Sequence, residues 1–516
     1  MTDYNFTSEQ QKAYDTIMSG KNVFLTGNAG TGKSYVLNKV MEKLDELNQN
    51  YIASAPTGIA AFNIGGITLH SLLHIRPGIL TGSPNYATRE AWRELFSKDG
   101  ILIVDEISMC RMDLFEYLVK TILTTEQKMN SHIQVILVGD FYQLPPIVQS
   151  NEKKMYESFF TGKYAFESPF WNDLDLTNLV LHEEIRQTQS TDQEKWFVEA
   201  LNHIRFNDQF AWNAINYINQ QCYRPTLDRS GTYLCGYRSS VARINNEYLT
   251  DLKTNEINFH CHRDEKIAPS SSPADEIVHL KIGAKVMCLK NVVLEDGTEI
   301  YNGQRGTVVD AIAHGKRLKH SKTNLNATAP MPNIFTDSSS YGLEKLADNR
   351  NQNAVKVRFD GSELYPEQTV WISWEKWDKI EYKTNSSGHL EQKVIGSFVQ
   401  IPLKLAYALT IHKAQGQTIT GSVNLKSEIF EPGQLYVALS RVTSIKNLHL
   451  QSRLRPQDTI PNLKVTEFYR SIDPAMSNID VHYDRNQMIQ ALGKIISDMP
   501  DRKLAQFVNL ADMFSK

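Results

Sequence analysis

The stretch Val23-Phe24-Leu25-Thr26-Gly27-Asn28-Ala29-Gly30-Thr31-Gly32-Lys33-Ser34 decides the fold of this chain of 516 residues. It opens with an apolar run that is typical of a buried strand, and its last eight residues match the pattern GxxxxGK[ST]. A strand, a glycine-rich loop and a helix in this order predict a phosphate-binding loop, and the alternative is a turn that only caps the helix. The helix is indicated by an apolar stripe at Val36, Leu37, Val40, Met41 and Leu44.

The residues of this loop suit a nucleoside triphosphate. Lys33 can reach the outer phosphates, and the Ser34 hydroxyl can ligate Mg²⁺. ATP and Mg²⁺ are therefore the expected substrate and cofactor. The backbone N–H groups that can turn toward phosphate oxygens belong to Gly27, Asn28, Ala29, Gly30, Thr31 and Gly32.

Two acidic residues follow another apolar run, Ile101–Val104. Asp105 can hold Mg²⁺, and Glu106 can orient and deprotonate an attacking water. Two acids after a strand can also be solvated side chains without a role, but the preceding phosphate loop favours the catalytic interpretation. Further along, Gln143 in the segment Gly139–Pro146 can sense the γ-phosphate, with a polar turn as the alternative.

Short apolar runs alternate with helical patterns in the first part of the chain, which predicts an α/β fold with a doubly wound parallel sheet. A second α/β set starts near Tyr233 and returns from Phe398. Between them, apolar runs with glycines predict a small β module, and the polar segment 314–352 is expected to be a long excursion from it. The predicted strands are Val23–Leu25, Tyr51–Ala55, Ile101–Val104, Val135–Val138, Tyr233–Cys235, Val286–Leu289, Gly306–Val309, Val355–Phe359 and Thr369–Ile372.

The formal net charge is −3, so the chain is not a histone-like protein that binds nucleic acid through bulk charge. Residues 401–470 carry nine Lys and Arg against four Asp and Glu, and this local charge of +5 predicts a basic patch. The cysteines form no CxxC pair, which fits a reducing compartment. With no signal sequence and no apolar run of about 20 residues, we expect a soluble intracellular protein that does not enter a membrane.

Taken together, the motifs resemble those of the Pif-one DNA helicases, in the RecD-like branch of helicase superfamily one. The resemblance covers roughly residues 6–450, and the motifs occur in the family's order. The strings that carry it are Phe6-Thr7-Ser8-Glu9-Gln10, Gly27–Ser34, Ala55-Pro56-Thr57-Gly58-Ile59-Ala60-Ala61, Thr68-Leu69-His70-Ser71, Asp105-Glu106-Ile107-Ser108-Met109, Gly139–Pro146, Arg186-Gln187, Tyr407–Thr418 and Tyr436-Val437-Ala438-Leu439-Ser440-Arg441.

The resemblance implies two RecA-like doubly wound domains with ATP between them and 5′→3′ movement on DNA. It also implies a small strand-separating wedge inserted in the first domain and an SH3-like β insertion in the second. The expected boundaries are 1–180 for the first RecA-like domain with the wedge near 76–98, 181–260 and 398–456 for the two parts of the second, 261–397 for the β insertion, and 457–516 for a C-terminal helical tail.

Individual residues also receive roles from the resemblance. Gln10 is similar to the residue that reads adenine, and Gly416 is grouped with the nucleotide-binding residues. Arg186 and Arg441 are similar to the arginines that stabilise the transferring phosphoryl group, although either arginine alone can be a surface salt bridge. The DNA path is expected at Pro56, Thr57, Gly58, His70, Thr410, His412 and Lys413. Aromatic residues that can stack on bases, or pack in the core instead, are Phe62, Tyr142, Trp371, Trp374 and Trp377.

These features predict an ATP-hydrolysing helicase that moves 5′→3′ on single-stranded DNA and unwinds duplexes, in DNA repair, recombination or replication. Its expected partners are single-stranded DNA and duplex or fork junctions, and the chain is expected to be a monomer without DNA. One alternative is a DNA-dependent ATPase that translocates or remodels without unwinding. Another is a nucleotide-gated nucleic-acid-binding module, against which Glu106 and the two candidate arginines argue.

Overall fold

A computed structural model gives the structure of most of the chain. Arg186, most of the predicted wedge and the helical patterns predicted after residue 477 lie outside the described residues. In the wedge region, Trp92, Leu95 and Phe96 are described, and they pack in the core of the N-terminal sheet. The described residues are 6–75, 78–81, 92, 95–96, 100–148, 152–185, 191–224, 231–267, 269, 272–290, 292–294, 297–300, 304–331, 352–361, 367–384, 390–416, 418–419, 422–426 and 428–477.

Six parallel strands form the N-terminal sheet. Helices Ser8–Met18 and Lys33–Glu46 pack their apolar residues on one face, and helix Met112–Met129 packs on the other. Because both faces are covered, the central strands Val23–Gly27, Ile101–Val104 and Gln134–Val138 are buried along their whole length. The short helices are Gly58–Asn63, Leu69–Leu73 and Lys153–Phe159. In spatial order the strands are Ile67–Thr68, Tyr51–Ala55, Ile101–Val104, Gln134–Val138, Val23–Gly27 and Thr177–Leu181.

Four parallel strands form the C-terminal sheet, which belongs to residues 191–251 and 406–456. These residues are called the C-terminal half below, and the N-terminal sheet with its helices is called the N-terminal half. The helices of the C-terminal half are Asp192–Phe206, Ala211–Cys222, Arg238–Asp251, Ile411–Ala414 and Gln434–Leu439. Its strands, in spatial order, are Ala408–Thr410, Thr232–Cys235, Val423–Leu425 and Leu448–Leu450.

The β module lies between the two parts of the C-terminal half, and it is larger than predicted. Strand Glu256–His260, predicted in the second RecA-like domain, pairs instead with Ile277–Lys281 and with Leu325–Thr328. Strand Leu403–Leu405, predicted beyond the insertion, pairs with Lys285–Cys288. The further strands of the module are His262–Arg263, Val292–Val293, Glu299–Ile300, Arg305–Ala313, Lys316–Arg317, Ala354–Phe359, Gln368–Ile372, Glu375–Thr384 and Leu390–Gln400.

Long-range pairing explains these corrected boundaries. A strand is assigned to a domain by its hydrogen-bonded neighbour, and local sequence does not identify that neighbour. For the same reason, the predicted excursion 314–352 begins with ordered structure, since Leu325–Thr328 forms an edge of the sheet with Glu256–His260. Each strand predicted from the sequence nevertheless coincides with a strand of the structure.

The last described helix, Leu463–Ile472, returns to the N-terminal half. Its residues Val465 and Tyr469 are buried in the same core as Phe24 and Phe141. The Phe468 ring lies against the Phe166 ring at a centroid distance of 4.3 Å. The described part of the predicted helical tail is therefore helical, and it completes the N-terminal core. Among helices of the described residues, none has the length and apolarity needed to cross a bilayer.

Candidate functional site

The phosphate-binding loop lies between strand Val23–Gly27 and helix Lys33–Glu46. Gly32 has a φ of +81°, in the left-handed region that favours glycine. A Cβ at Gly27 would lie 2.2 Å from the Leu181 carbonyl oxygen, so only glycine fits there. The Lys33 ammonium donates to the carbonyl oxygens of Gly27 and Asn28 at 2.9 and 2.8 Å. The Lys33 side chain thus folds back over the loop and is held by two of its carbonyl oxygens.

Residues from distant parts of the chain hold the loop in place. The Gln10 side-chain amide donates to the Thr31 carbonyl at 2.9 Å. The Ala29 N–H donates to the Tyr436 hydroxyl at 2.7 Å, so a helix of the C-terminal half contacts the loop directly. Asn28 donates to Glu184 at 3.0 Å. The sequence predicted Gln10 beside the nucleotide, whereas the contact made by Tyr436 was missed, although this residue begins the string that contains Arg441.

Asp105 and Glu106 follow strand Ile101–Val104 at the edge of the sheet where the phosphate loop also emerges. The Glu106 N–H donates to an Asp105 carboxylate oxygen at 2.8 Å. Burial, and then the neighbouring Glu106 carboxylate, raise the pKa of Asp105 to about 7. Burial also raises the pKa of Glu106, against the charges of Lys33 and Arg441. Both residues nevertheless remain partly exposed, so water can reach them.

The Glu106 carboxylate lies on the seam between the two halves. The charge of Lys33, in the N-terminal half, and the charge of Arg441, in the C-terminal half, both favour a lower pKa of this carboxyl. The Gln415 side-chain amide donates to Glu106 at 3.3 Å. A Cβ at Gly416 would lie 3.5 Å from the other carboxylate oxygen. The structure therefore brings together residues that are more than 300 positions apart in the sequence.

Arg441 is 0% exposed, which removes the alternative of a surface salt bridge. Its guanidinium donates to the carbonyl oxygens of Val437 and Ala414 at 2.7 and 3.2 Å and to the Ser440 hydroxyl at 2.8 Å. These contacts fix the cation at the end of helix Gln434–Leu439 and beside Glu106. Such a fixed, buried cation suits the stabilisation of a transferring phosphoryl group.

Gln143 also lies on the seam. Its side-chain amide donates to Asp140 at 3.4 Å, and its backbone N–H donates to the Asp140 carbonyl at 3.0 Å. On the other side of the seam, Gly433 approaches so closely that a Cβ there would lie 2.3 Å from the Gln143 carbonyl oxygen. The predicted γ-phosphate sensor is therefore in contact with both halves.

The residues predicted for DNA lie on short helices that follow strands of both sheets. The Thr57 hydroxyl accepts from the Ala60 N–H at 3.3 Å, and the Thr410 hydroxyl accepts from the Lys413 N–H at 3.2 Å. Gly58 begins the first of these helices, directly after Pro56 and Thr57. His412 lies in the second helix, and burial lowers its pKa against the effect of nearby Glu431. Burial likewise lowers the pKa of His70.

Most of the aromatic residues predicted to stack on bases lie in the core instead. Tyr142, Trp374 and Trp377 are buried, and Trp371 is partly exposed between the cations of the β module. The Phe62 side chain lies outside the described residues. An exposed aromatic pair was missed: Tyr237 and Phe430 are 51% and 43% exposed, and their rings stack at 5.0 Å with 13° between the planes. Arg238 follows Tyr237, and its charge acts on His412.

The predicted basic patch is smaller than the charge count suggests. Arg441 is buried, and other cations of residues 401–470 form ion pairs. Lys413 is exposed beside His412. The basic surface next to the candidate DNA residues is therefore a few side chains rather than the whole segment. The paired cations are Lys426 with Glu428, Arg455 with Asp458, and Lys464 with Glu167.

Comparison with known proteins now adds to this geometry. The family model described as PIF1-like helicase matches residues 5–209. The ATP-dependent DNA helicase Pif1 of Psychrobacter sp. (strain PRwf-1) is 31% identical over 466 residues, which cover 86% of this chain and 67% of that protein. This chain belongs to the PIF1-like helicase family. Across other curated PIF1-like relatives, it spans between 48% and 90% of the relative's length.

Solved PIF1-like structures share the fold. The unliganded Pif1 from Bacteroides sp is 30% identical, with a TM-score of 0.70, and the match covers 91% of this chain and 97% of that one. The Bacteroides Pif1 bound to single-stranded DNA is 28% identical, with a TM-score of 0.58 and coverages of 91% and 97%. The predicted fold class is thus confirmed.

Proposed function

We propose that this PIF1-like chain is an ATP-dependent DNA helicase in which hydrolysis at the seam moves the two halves relative to each other. The observation that carries the proposal is the Glu106 carboxylate of the N-terminal half, which accepts a hydrogen bond from Gln415 of the C-terminal half at 3.3 Å and lies next to Gly416 of that half. The charges of Lys33 and Arg441, one from each half, also act on it. Because residues of both halves surround this carboxylate, the rate of ATP hydrolysis depends on the relative position of the two halves.

The residues at the phosphate loop fit a bound triphosphate. Gly27 and Gly32 pack closely against Leu181 and Gln10, which holds the loop in a form that can present its backbone N–H groups to phosphates. Lys33 already lies over the loop, and its ammonium can exchange carbonyl oxygens for phosphate oxygens. Gln10 would hold the loop beside the base.

Ser34 and Asp105 are the residues that would hold Mg²⁺, which neutralises phosphate charge when bound. Glu106 would accept a proton from the attacking water. Arg441 supplies fixed positive charge, with Arg186 as the second candidate, and Gln143 would respond to the outer phosphate.

DNA would contact both halves. The helix capped by Thr57 belongs to the N-terminal half, and the helix capped by Thr410 belongs to the C-terminal half. Two contact points on bodies that move relative to each other can advance a strand when they grip it alternately. Pro56, Gly58, His70, His412 and Lys413 complete this proposed path. Movement in the 5′→3′ direction is supported by the family resemblance.

Two measurements test the proposal. ATP hydrolysis is measured with and without single-stranded DNA, and unwinding is measured on matched forks that carry either a 5′ or a 3′ single-stranded tail. We expect DNA to stimulate hydrolysis and only the 5′-tailed substrate to be unwound, with Lys33→Ala inactive in both assays. Stimulated hydrolysis without unwinding would indicate a translocase, and unwinding only from the 3′ tail would contradict the direction.

A further inference from the structure

A buried arginine outside the family's motif strings joins the two halves. Arg205 lies in the last turn of helix Asp192–Phe206, whose apolar face packs in the core of the C-terminal half. Its side chain is 3% exposed, and its guanidinium donates to an Asp140 carboxylate oxygen at 2.9 Å. Asp140 follows strand Gln134–Val138 of the N-terminal sheet. This ion pair therefore crosses the seam.

Aromatic rings enclose the Arg205 guanidinium. A flat guanidinium packs well against ring faces, and this contact favours the cation where water is excluded. The rings come from the N-terminal half, from both ends of the C-terminal half and from the returning helix Leu463–Ile472. Their centroid distances from the guanidinium carbon are 4.4 Å for Tyr142, 4.9 Å for Phe206, 5.4 Å for Tyr469 and 5.9 Å for Tyr436.

The Asp140 carboxylate connects this arginine to the nucleotide site. One of its oxygens accepts from Arg205 and from the Tyr469 hydroxyl at 3.3 Å. The other oxygen accepts from the side-chain amide of Gln143, the predicted γ-phosphate sensor. Tyr436, one of the enclosing rings, accepts from the Ala29 N–H of the phosphate loop. The cluster thus contacts the loop and the sensor at once.

We propose that Arg205 is a positioning residue that couples the position of the C-terminal half to Gln143 and the phosphate loop. This inference rests on the proposed function, because it concerns how DNA-driven movement of one half reaches the hydrolysis site. Separating Arg205 from Asp140 would leave each buried charge without its opposite charge, so the pair stays together when the halves move. Asp140 then moves with the arginine, and the Gln143 amide that it holds moves too.

The test uses the full chain and two variants. The double variant Asp140→Asn with Arg205→Met removes both charges and keeps similar shapes, which avoids an unpaired buried ion. Arg205→Lys keeps the charge but loses the flat guanidinium that lies between the rings. Arg263→Met removes an arginine that pairs with Glu276 at 3.0 Å in the β module, far from the seam, and serves as the matched control.

The measured quantity is the ratio of ATP turnover with saturating single-stranded DNA to turnover without DNA. Circular dichroism melting verifies folding, and ATP KM and DNA affinity are measured in parallel. We expect the ratio to fall about fivefold or more in the double variant, which is the lower end of the usual range for coupling between two sites. The ratio should fall less in Arg205→Lys, and Arg263→Met should keep the wild-type ratio. A merely structural role would instead lower the yield of folded protein and leave the ratio unchanged.

A wild-type ratio in either folded variant overturns the inference and leaves the helicase proposal intact. If wild-type protein shows no DNA stimulation at all, the proposed function fails first, and the coupling fails with it. If the double variant does not fold, Arg205→Lys decides the question by the same ratio.

Discussion

Replacing Glu106 with Gln is expected to abolish ATP turnover without destabilising the fold. The amide has the shape of the carboxylate and can still accept from Gln415, which now donates to Glu106 at 3.3 Å. The bonds of Lys33 to the phosphate loop do not involve Glu106. Nucleotide affinity should therefore change by no more than several-fold. The property that is lost is the ability to accept a proton.

The magnitude follows from that loss. A positioned general base typically contributes about 10²–10⁴-fold to the rate, so kcat should fall by a factor in this range while the ATP KM changes little. Expressed as a barrier, this loss is about 3–5 kcal/mol, since about 1.4 kcal/mol corresponds to each factor of ten. DNA-stimulated phosphate release, measured at saturating ATP, gives kcat directly.

Stability gives a second, independent readout of Glu106→Gln. Burial raises the pKa of Glu106, so the folded wild-type chain holds this proton more tightly than the unfolded chain does. Its free energy of unfolding should then fall as pH rises from the unfolded pKa through the raised folded pKa. The variant lacks this dependence, so its stability relative to wild type should increase with pH in urea unfolding.

Glu42→Gln is the matched control, because Glu42 forms an exposed ion pair with Lys39 on the helix that follows the phosphate loop. It should leave both turnover and the pH dependence of unfolding unchanged. The reasoning about Glu106 would be refuted if the Gln variant kept turnover within tenfold of wild type, or if its relative stability decreased with pH.

Three further outcomes are expected. Lys33→Ala should reduce ATP turnover by roughly 10²–10³-fold, because it removes a cation aimed at developing charge; near-normal phosphate release would contradict this. Burial raises the pKa of Asp105 to about 7, and a carboxylate must lose its proton to bind metal, so the Mg²⁺ concentration for half-maximal hydrolysis should rise as pH falls below neutrality. Tyr237→Ala or Phe430→Ala should weaken binding of single-stranded DNA by about 1–3 kcal/mol per stacked base. Either variant should also lose the preference for strands that carry bases over abasic strands. Trp212→Ala, which removes another exposed ring, should change neither the affinity nor the preference.

The parts of the site that sequence predicted are those defined by local patterns. The glycines and the lysine of Gly27–Ser34 have their roles within one strand-loop-helix unit, and so do the acids that end strand Ile101–Val104. The positions of these units also follow from the rule that parallel strands present their carboxyl ends at one edge. Their convergence was therefore predictable from the chain alone.

The features that sequence did not predict depend on distant partners. Arg205 is a single arginine in a helix, and no local pattern shows that it meets Asp140. Strand Glu256–His260 was assigned to the wrong domain because its partners are determined by long-range pairing. Tyr142 and Trp374 have the residue type of base-stacking side chains, but packing places them in the core. The count of charges in residues 401–470 likewise gave no sign of their pairing.

The return of helix Leu463–Ile472 to the N-terminal core has a mechanical consequence. The chain passes from one sheet to the other between Leu181 and Asp192, and it passes back between Leu450 and Leu463. The C-terminal half is thus joined to the N-terminal half by one connector at each of its two ends. A body held at two separated points swings easily only about the line that joins them, because other rotations stretch a connector. Shortening the second connector, between Leu450 and Leu463, should narrow this rotation without changing any residue that the proposed function places at ATP or DNA.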